Sequence, residues 1–268
     1  MAPFALMRIL IDIGRRSFSR FVELEAFDRS MALAGQAFAT LLPLLIVVAT
    51  VSPRDGDDLA DTLIDSFDLS GASADTLDAA FAQPDAGVSA LGVPLLVISA
   101  LSFTRALQRL YIRAWRIDKK LGLRGNIWGL EWLALFIAYW SAQPFLVGLF
   151  DGVLALIVSL SLSTALWLFT PWLLVAKQIS WKRLLPQAIL TAVGLAAVAI
   201  GCAVYLPRAI ATASDDFGFL GVAFTILSLF FAVAFVLVAT AALGTAIVET
   251  GEDADHPDRV IAAHPPLS

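Results

Sequence analysis

Long uncharged runs alternate with short charged clusters along this chain, and the runs are too continuous for helices bathed in water on one side. Six of them, at 31–51, 87–104, 127–150 (interrupted only by Glu131), 153–176, 184–206 and 217–247, each exceed the ~17 residues that cross a hydrocarbon core as a helix. The alternating segments of about ten residues that build a membrane barrel do not appear. The pattern predicts an all-α membrane protein, a six-transmembrane-helix bundle over 31–248.

The flanks have periodicities of their own. Over 4–27, Phe4, Met7, Ile11, Phe18, Phe21 and Val22 share one side of a helix, with Arg8, Asp12, Arg15, Arg16, Arg20 and Glu23 opposite or flanking. Residues 1–30 therefore read as an N-terminal amphipathic interfacial helix whose cations sit near anionic headgroups; a helix packed beneath the bundle is the alternative. Residues 52–86 hold nine Asp, one Arg and no Lys. Their apolar positions, Leu59, Leu63, Phe67 and then Leu77 and Phe81, predict a short helical extracytoplasmic cap between spans one and two. The tail, 249–268, is acidic, rich in Pro and Ala, and reads as disordered.

The most informative stretch starts at Leu91. An uncharged span passes into Arg105, Arg109, Arg113 and Arg116, which fall within ~80° of one another on a helix. Phe103, Leu107, Leu110, Tyr111 and Ala114 lie opposite, and Lys119, Lys120 and Arg124 follow. One unbroken helix from Leu91 to Lys120 is expected. Cations then sort by side. The N-terminal flank has five, the 105–126 connection seven, the 177–183 connection three and the tail one, sixteen in all. The three other connections have one, none and one. That asymmetry places both termini in the cytoplasm.

Composition changes the picture only in detail. At 59% hydrophobic, 15% charged and a mean hydropathy of +0.82, the chain lies outside the soluble range. The net charge of −5 hides a segregation of acids from bases by loop. Cys202 is the single cysteine, so no intrachain disulfide forms. Both histidines, His256 and His264, lie in the tail, which excludes a histidine metal or nucleophile site inside the membrane. The opening MAPFALMRILIDIGRRSF is interrupted by Arg8 and Asp12 and does not read as a cleavable signal peptide.

Four segments, LAGQAFATLLPLL (33–45), LLVISALSFTRALQRLYIRAWRI (95–117), ISWKRLLPQAIL (179–190) and YLPRAIATASDDFGFLG (205–221), resemble in order and spacing the YihY/virulence factor BrkB family. The resemblance covers roughly 15–250, and Ala114-Trp115-Arg116 is its most specific piece. It implies a six-helix protein of the cell inner membrane, of a family once mislabelled as ribonuclease BN and associated with envelope integrity and lipid export. Three places depart from the family pattern: Gln187 stands where a Gly follows Leu-Pro, Ser228-Leu229-Phe230 replaces Trp-Leu-Tyr, and Gly244-Thr245-Ala246-Ile247 lacks the usual acid.

Polar residues inside the spans are few. Glu131 is near the cytoplasmic end of span three, where a lone carboxylate must pair, protonate or reach the interface. Arg105 and Arg109 are its candidate partners, in either a locking ion pair or a gating or proton-linked role. Gln36 and Gln143 each need hydrogen-bond partners and sit near Pro43 and Pro144; Pro94 and Pro171 add further bends. They join helices or line a polar cavity.

No GxxxxGK[ST], HExxH or GxSxG motif occurs. Neither a catalytic residue, a metal site nor a cofactor is assigned, and an enzyme is not expected. The first reading is transport or accommodation of an anionic lipid or lipid-linked envelope precursor. Arg105, Arg109, Arg113, Arg116, Lys182 and Arg183 collect headgroups, and Gln36, Glu131 and Gln143 line the path. The second is a scaffold or accessory subunit of an envelope-biogenesis complex. Membrane lipids are the expected partners, nucleic acid is not, and a homo-oligomer or an envelope-machinery partner stays open.

Overall fold

The computed structural model describes residues 2–51, 86–117 and 124–255. Seven helices fill them: α1 (Ala2–Glu23), α2 (Ala26–Val51), α3 (Ala86–Ala114), α4 (Arg124–Val147), α5 (Gly152–Leu174), α6 (Trp181–Phe217) and α7 (Phe219–Asp255). No strand occurs among the described residues. The five helices α3 to α7 are long and apolar enough to cross a membrane, the pattern of a multi-pass membrane protein. The acidic cap, Lys119, Lys120 and the tail from His256 onward lie outside the described residues.

Several boundaries differ from those read in the sequence, each for a local reason. The N-terminal helix stops at Glu23 because Glu25 takes a left-handed conformation (φ +51°), and α2 restarts at Ala26, ahead of Met31. The arginine-bearing helix does not reach Lys120. Arg116 is left-handed (φ +49°), and the Ile117 N–H returns to the Ile112 carbonyl at 2.9 Å, closing α3 after Ala114. Pro207 does not end its span, since one missing donor leaves the neighbouring turns bonded. The helix ends ten residues later, at Phe217, before Gly218 (φ +58°). Residues 249–255, read as disordered tail, continue α7.

The described residues cluster into two compact units. The first draws on 1–29, 108–194 and 236–268. Its interior includes Tyr111, Trp132, Leu174, Leu184 and Val238, all nearly inaccessible. Within it α6 and α7 approach along small residues. A side chain on Gly244 would meet Gln187 Cβ at 2.4 Å, Thr191 and Thr240 share a hydroxyl hydrogen bond of 2.8 Å, and Gly194 faces Val236. The order 187, 191, 194 against 244, 240, 236 is an antiparallel seam at helical spacing, the close packing that small residues permit between membrane helices.

The second unit draws on 30–107 and 195–235. Leu33, Ala34, Ala100, Thr104, Leu107, Ile210 and Ala234 are buried there. Gly221 is needed where α7 begins, because a Cβ would lie 2.0 Å from the Ala213 carbonyl oxygen.

The seam makes a direct prediction. Gly244→Leu forces α7 off Gln187 and lowers stability by ~1–3 kcal/mol, read as an earlier thermal transition in detergent. An unchanged transition would show that the helices do not touch there.

Candidate functional site

At the end of the first unit where α1, the close of α3, the start of α6 and the end of α7 meet, the amino acids are mostly charged. Arg20 is almost fully buried, at 5% exposure, and its guanidinium pairs with Glu23 one turn on and with Glu249 of α7. Arg116 reaches the same Glu23 at 2.8 Å. Arg16 pairs with Asp253 at 2.6 Å, and Arg183 holds Glu252 through two nitrogens at 2.9 Å each. Beneath these pairs Trp115 donates its indole N–H to Gln187 Oε1 at 2.8 Å, with the Arg183 guanidinium 5.9 Å from its ring. Gln108 donates to the Leu174 carbonyl at 2.7 Å.

This lattice fastens one side of α1 to the first unit. Ser17 and Arg20 face inward, while Met7, Ile11, Phe18 and Val22 are 60–70% exposed. Those four positions fall within about 60° of one another on the helix, opposite Arg16 and Arg20. Two of the cations expected to seek headgroups are therefore bound to carboxylates of α7. Ser17 Oγ is buried without a hydrogen-bond partner among the described residues.

Electrostatics follow the geometry. The hydrogen bond from Arg116 holds the Glu23 carboxyl below its ordinary value, helped by the charges of Arg116, Arg20 and Arg113 against partial desolvation. Burial lowers Arg29 from its ordinary value, and repulsion from Arg113 and Arg109 adds to it while Glu25, 3.9 Å away, opposes. Arg29 Nε donates to the Leu24 carbonyl at 2.6 Å, which fastens the α1–α2 junction.

The residues expected to form one site separate into several environments. Arg116 and Arg183 belong to the lattice. Arg109, Arg113 and Lys182 are exposed and form no ion pair among the described residues; Lys182 leans over Trp181 at 5.9 Å. Arg105 is exposed in the second unit. Glu131 is exposed and makes no ion pair with Arg109, since a carboxylate left in contact with its surroundings needs no internal partner. Gln143 borders an apolar cleft between α4 and α5; Glu131, one turn before Leu135 on the same side of α4, is not among the residues that line it. Gln36 is in the second unit; its backbone carbonyl accepts the Thr40 hydroxyl at 2.8 Å, and its Oε1 is buried without a partner among the described residues.

Sequence reasoning missed Glu249, Glu252 and Asp253, although their spacing of three and four after an apolar run marks one helical face. It noted Gln187 only as an unusual residue, and nothing local could reveal that Trp115 binds it. Among the described residues no group of three or more His, Cys, Asp or Glu side chains is disposed to hold a metal ion. Set against known protein families, curated proteins and solved structures, the chain matches none.

Two outcomes test the lattice. Glu249→Gln leaves the buried Arg20 with only its longer ion pair to Glu23 and removes ~1–3 kcal/mol, whereas Asp253→Asn, at a half-exposed pair, removes less than ~1 kcal/mol. Equal melting shifts for the two variants would contradict the ranking. Because Glu23 titrates lower in the folded chain than its ordinary 4.5, its stabilisation is complete above that value and disappears as pH falls through the lowered one. The melting temperature should hold down to about pH 5 and then drop, with a shallower drop in Glu23→Gln. Identical acid profiles would remove Glu23 from the account.

Proposed function

We propose that this chain is a six-span protein of the plasma membrane, of the YihY/BrkB kind, which transports or accommodates an anionic lipid or lipid-linked envelope precursor. Both termini are cytoplasmic in this reading, α2 supplies the sixth crossing through its uncharged 31–51 stretch, and α1 lies in the interface with its apolar stripe in lipid. The observation that carries it is the division of the cations. Arg116 and Arg183 are neutralised by carboxylates, while Arg109, Arg113 and Lys182 in the same unit remain exposed and unpaired among the described residues. Near a membrane surface each such charge attracts anionic headgroups by ~1 kcal/mol. Structural cations and headgroup-collecting cations are thus different residues. Of the residues read as lining a path, Gln143 borders the α4–α5 cleft, and the exposed cations supply the headgroup end of the site.

One observation favours the scaffold reading instead. The cleft beside Gln143 is lined by carbon rather than by groups that would shelter a moving headgroup.

Two experiments check the proposal. In proteoliposomes the protein should redistribute labelled anionic phospholipid faster than zwitterionic. Neutralising Arg109, Arg113 and Lys182 together should erase that preference by at least about tenfold. Unchanged lipid distribution with co-purification of an envelope protein would support the scaffold. Orientation is tested separately with Gln178→Cys in a Cys202→Ser background. A membrane-impermeant maleimide should react only after the cells are opened, and labelling of intact cells would reverse the topology.

A further inference from the structure

Lys177 lies just beyond α5 in a left-handed conformation (φ +60°), and its N–H returns to the Trp172 carbonyl at 2.8 Å. The chain thereby folds over the end of its own helix. This places the ammonium 4.8 Å from the centre of the Trp172 ring and 5.0 Å from that of Trp128 on α4. Two rings hold one cation in place without neutralising it. Lys177 is exposed, has no carboxylate partner among the described residues, and keeps N–H donors to spare. Neither indole N–H of the pair has an acceptor among the described residues.

The same faces of α4 and α5 continue into the apolar cleft. Leu135, Ala142 and Leu146, with Tyr139 and Gln143 among them, form one wall and Leu162, Ala165 and Phe169 the other, around a half-open space of about 230 Å³. Phe169 meets Trp172 edge-on at 5.7 Å, so the ring platform leads directly into the cleft. Leu135 to Leu146 spans about 16 Å at 1.5 Å per residue, which matches the ~15 Å of hydrocarbon belonging to one leaflet.

We propose that the α4–α5 cleft and Lys177 together form a binding site for one anionic glycerophospholipid, an acyl chain in the cleft and the phosphate on the Lys177 ammonium. Net negative charge is required on chemical grounds. A choline headgroup would bring a second cation to rings that Lys177 already occupies, whereas a phosphate meets an unneutralised ammonium and idle indole donors. The site needs only that these helices lie in lipid; it is indifferent to whether the chain translocates anything.

Native mass spectrometry of the full-length protein in detergent, titrated with phosphatidylglycerol or phosphatidylcholine, tests it at equilibrium without a transport assay. The wild type should retain phosphatidylglycerol about fivefold more tightly, Lys177→Gln should lose that preference, and Lys177→Arg should keep it. Ala165→Trp, which fills the cleft, should weaken both lipids. Soluble glycerophosphate should not compete. The proposal is overturned if Lys177→Gln binds as the wild type does, if glycerophosphate displaces the lipid, or if Ala165→Trp converts a dimer into monomers, which would make the cleft an interface between two copies. Should Ala165→Trp fail to fold, the two exposed Lys177 variants decide the question alone.

Discussion

No side chain fits between Gln187 and Gly244, and the charged end of the first unit depends on that contact. Because α7 passes Gln187 with only a glycine facing it, the two helices stay within reach of the Thr191–Thr240 hydrogen bond and of Val236 against Gly194. The approach also fixes Gln187 so that its Oε1 meets the Trp115 indole at 2.8 Å. Buried at 1% exposure, that amide would otherwise be an orphaned polar group, whose penalty is ~1–3 kcal/mol. Close packing thus comes first and the polar network follows from it.

One turn further along, the same passage of α7 carries Glu249, Glu252 and Asp253 over the cations of α1 and α6. Most of these pairs are half-exposed and individually contribute little. Arg20 is the exception, since a buried guanidinium must be matched. The lattice explains how an amphipathic helix can point its cations at protein and its apolar stripe outward. In a membrane that arrangement lets the apolar stripe meet lipid while Arg16 and Arg20 are matched by carboxylates.

Once the paired cations are set aside, what remains for ligands is sparse and separable. Arg109, Arg113 and Lys182 offer charge without a cavity. Lys177 offers charge at the head of one, held between two tryptophans on helices joined by the short turn at Asp151 and Gly152. The first group suits transient attraction of headgroups, the second prolonged residence of a single lipid. Both roles place anionic lipid at the same end of the helices, and they differ in whether an acyl chain is gripped.

The helical character of the chain and its five long apolar helices were legible from local information, because hydrophobic length is a property of consecutive residues and needs no partner. So were the turn at Asp151-Gly152 and the amphipathic character of α1. Helix ends were less so: Glu25 and Arg116 adopt left-handed conformations without being glycine, so no local residue type marks them. The acidic face closing α7 was present as a spacing but was masked by its charged, proline-bearing neighbourhood. Which cations are spent on carboxylates, which glutamine is satisfied by a tryptophan seventy-two residues away, and which lysine stands between two indoles depend on distances between helices. Those distances are set by side-chain volume at a few facing positions, Gly244 and Gly194 among them, and no one-dimensional pattern encodes which positions face each other.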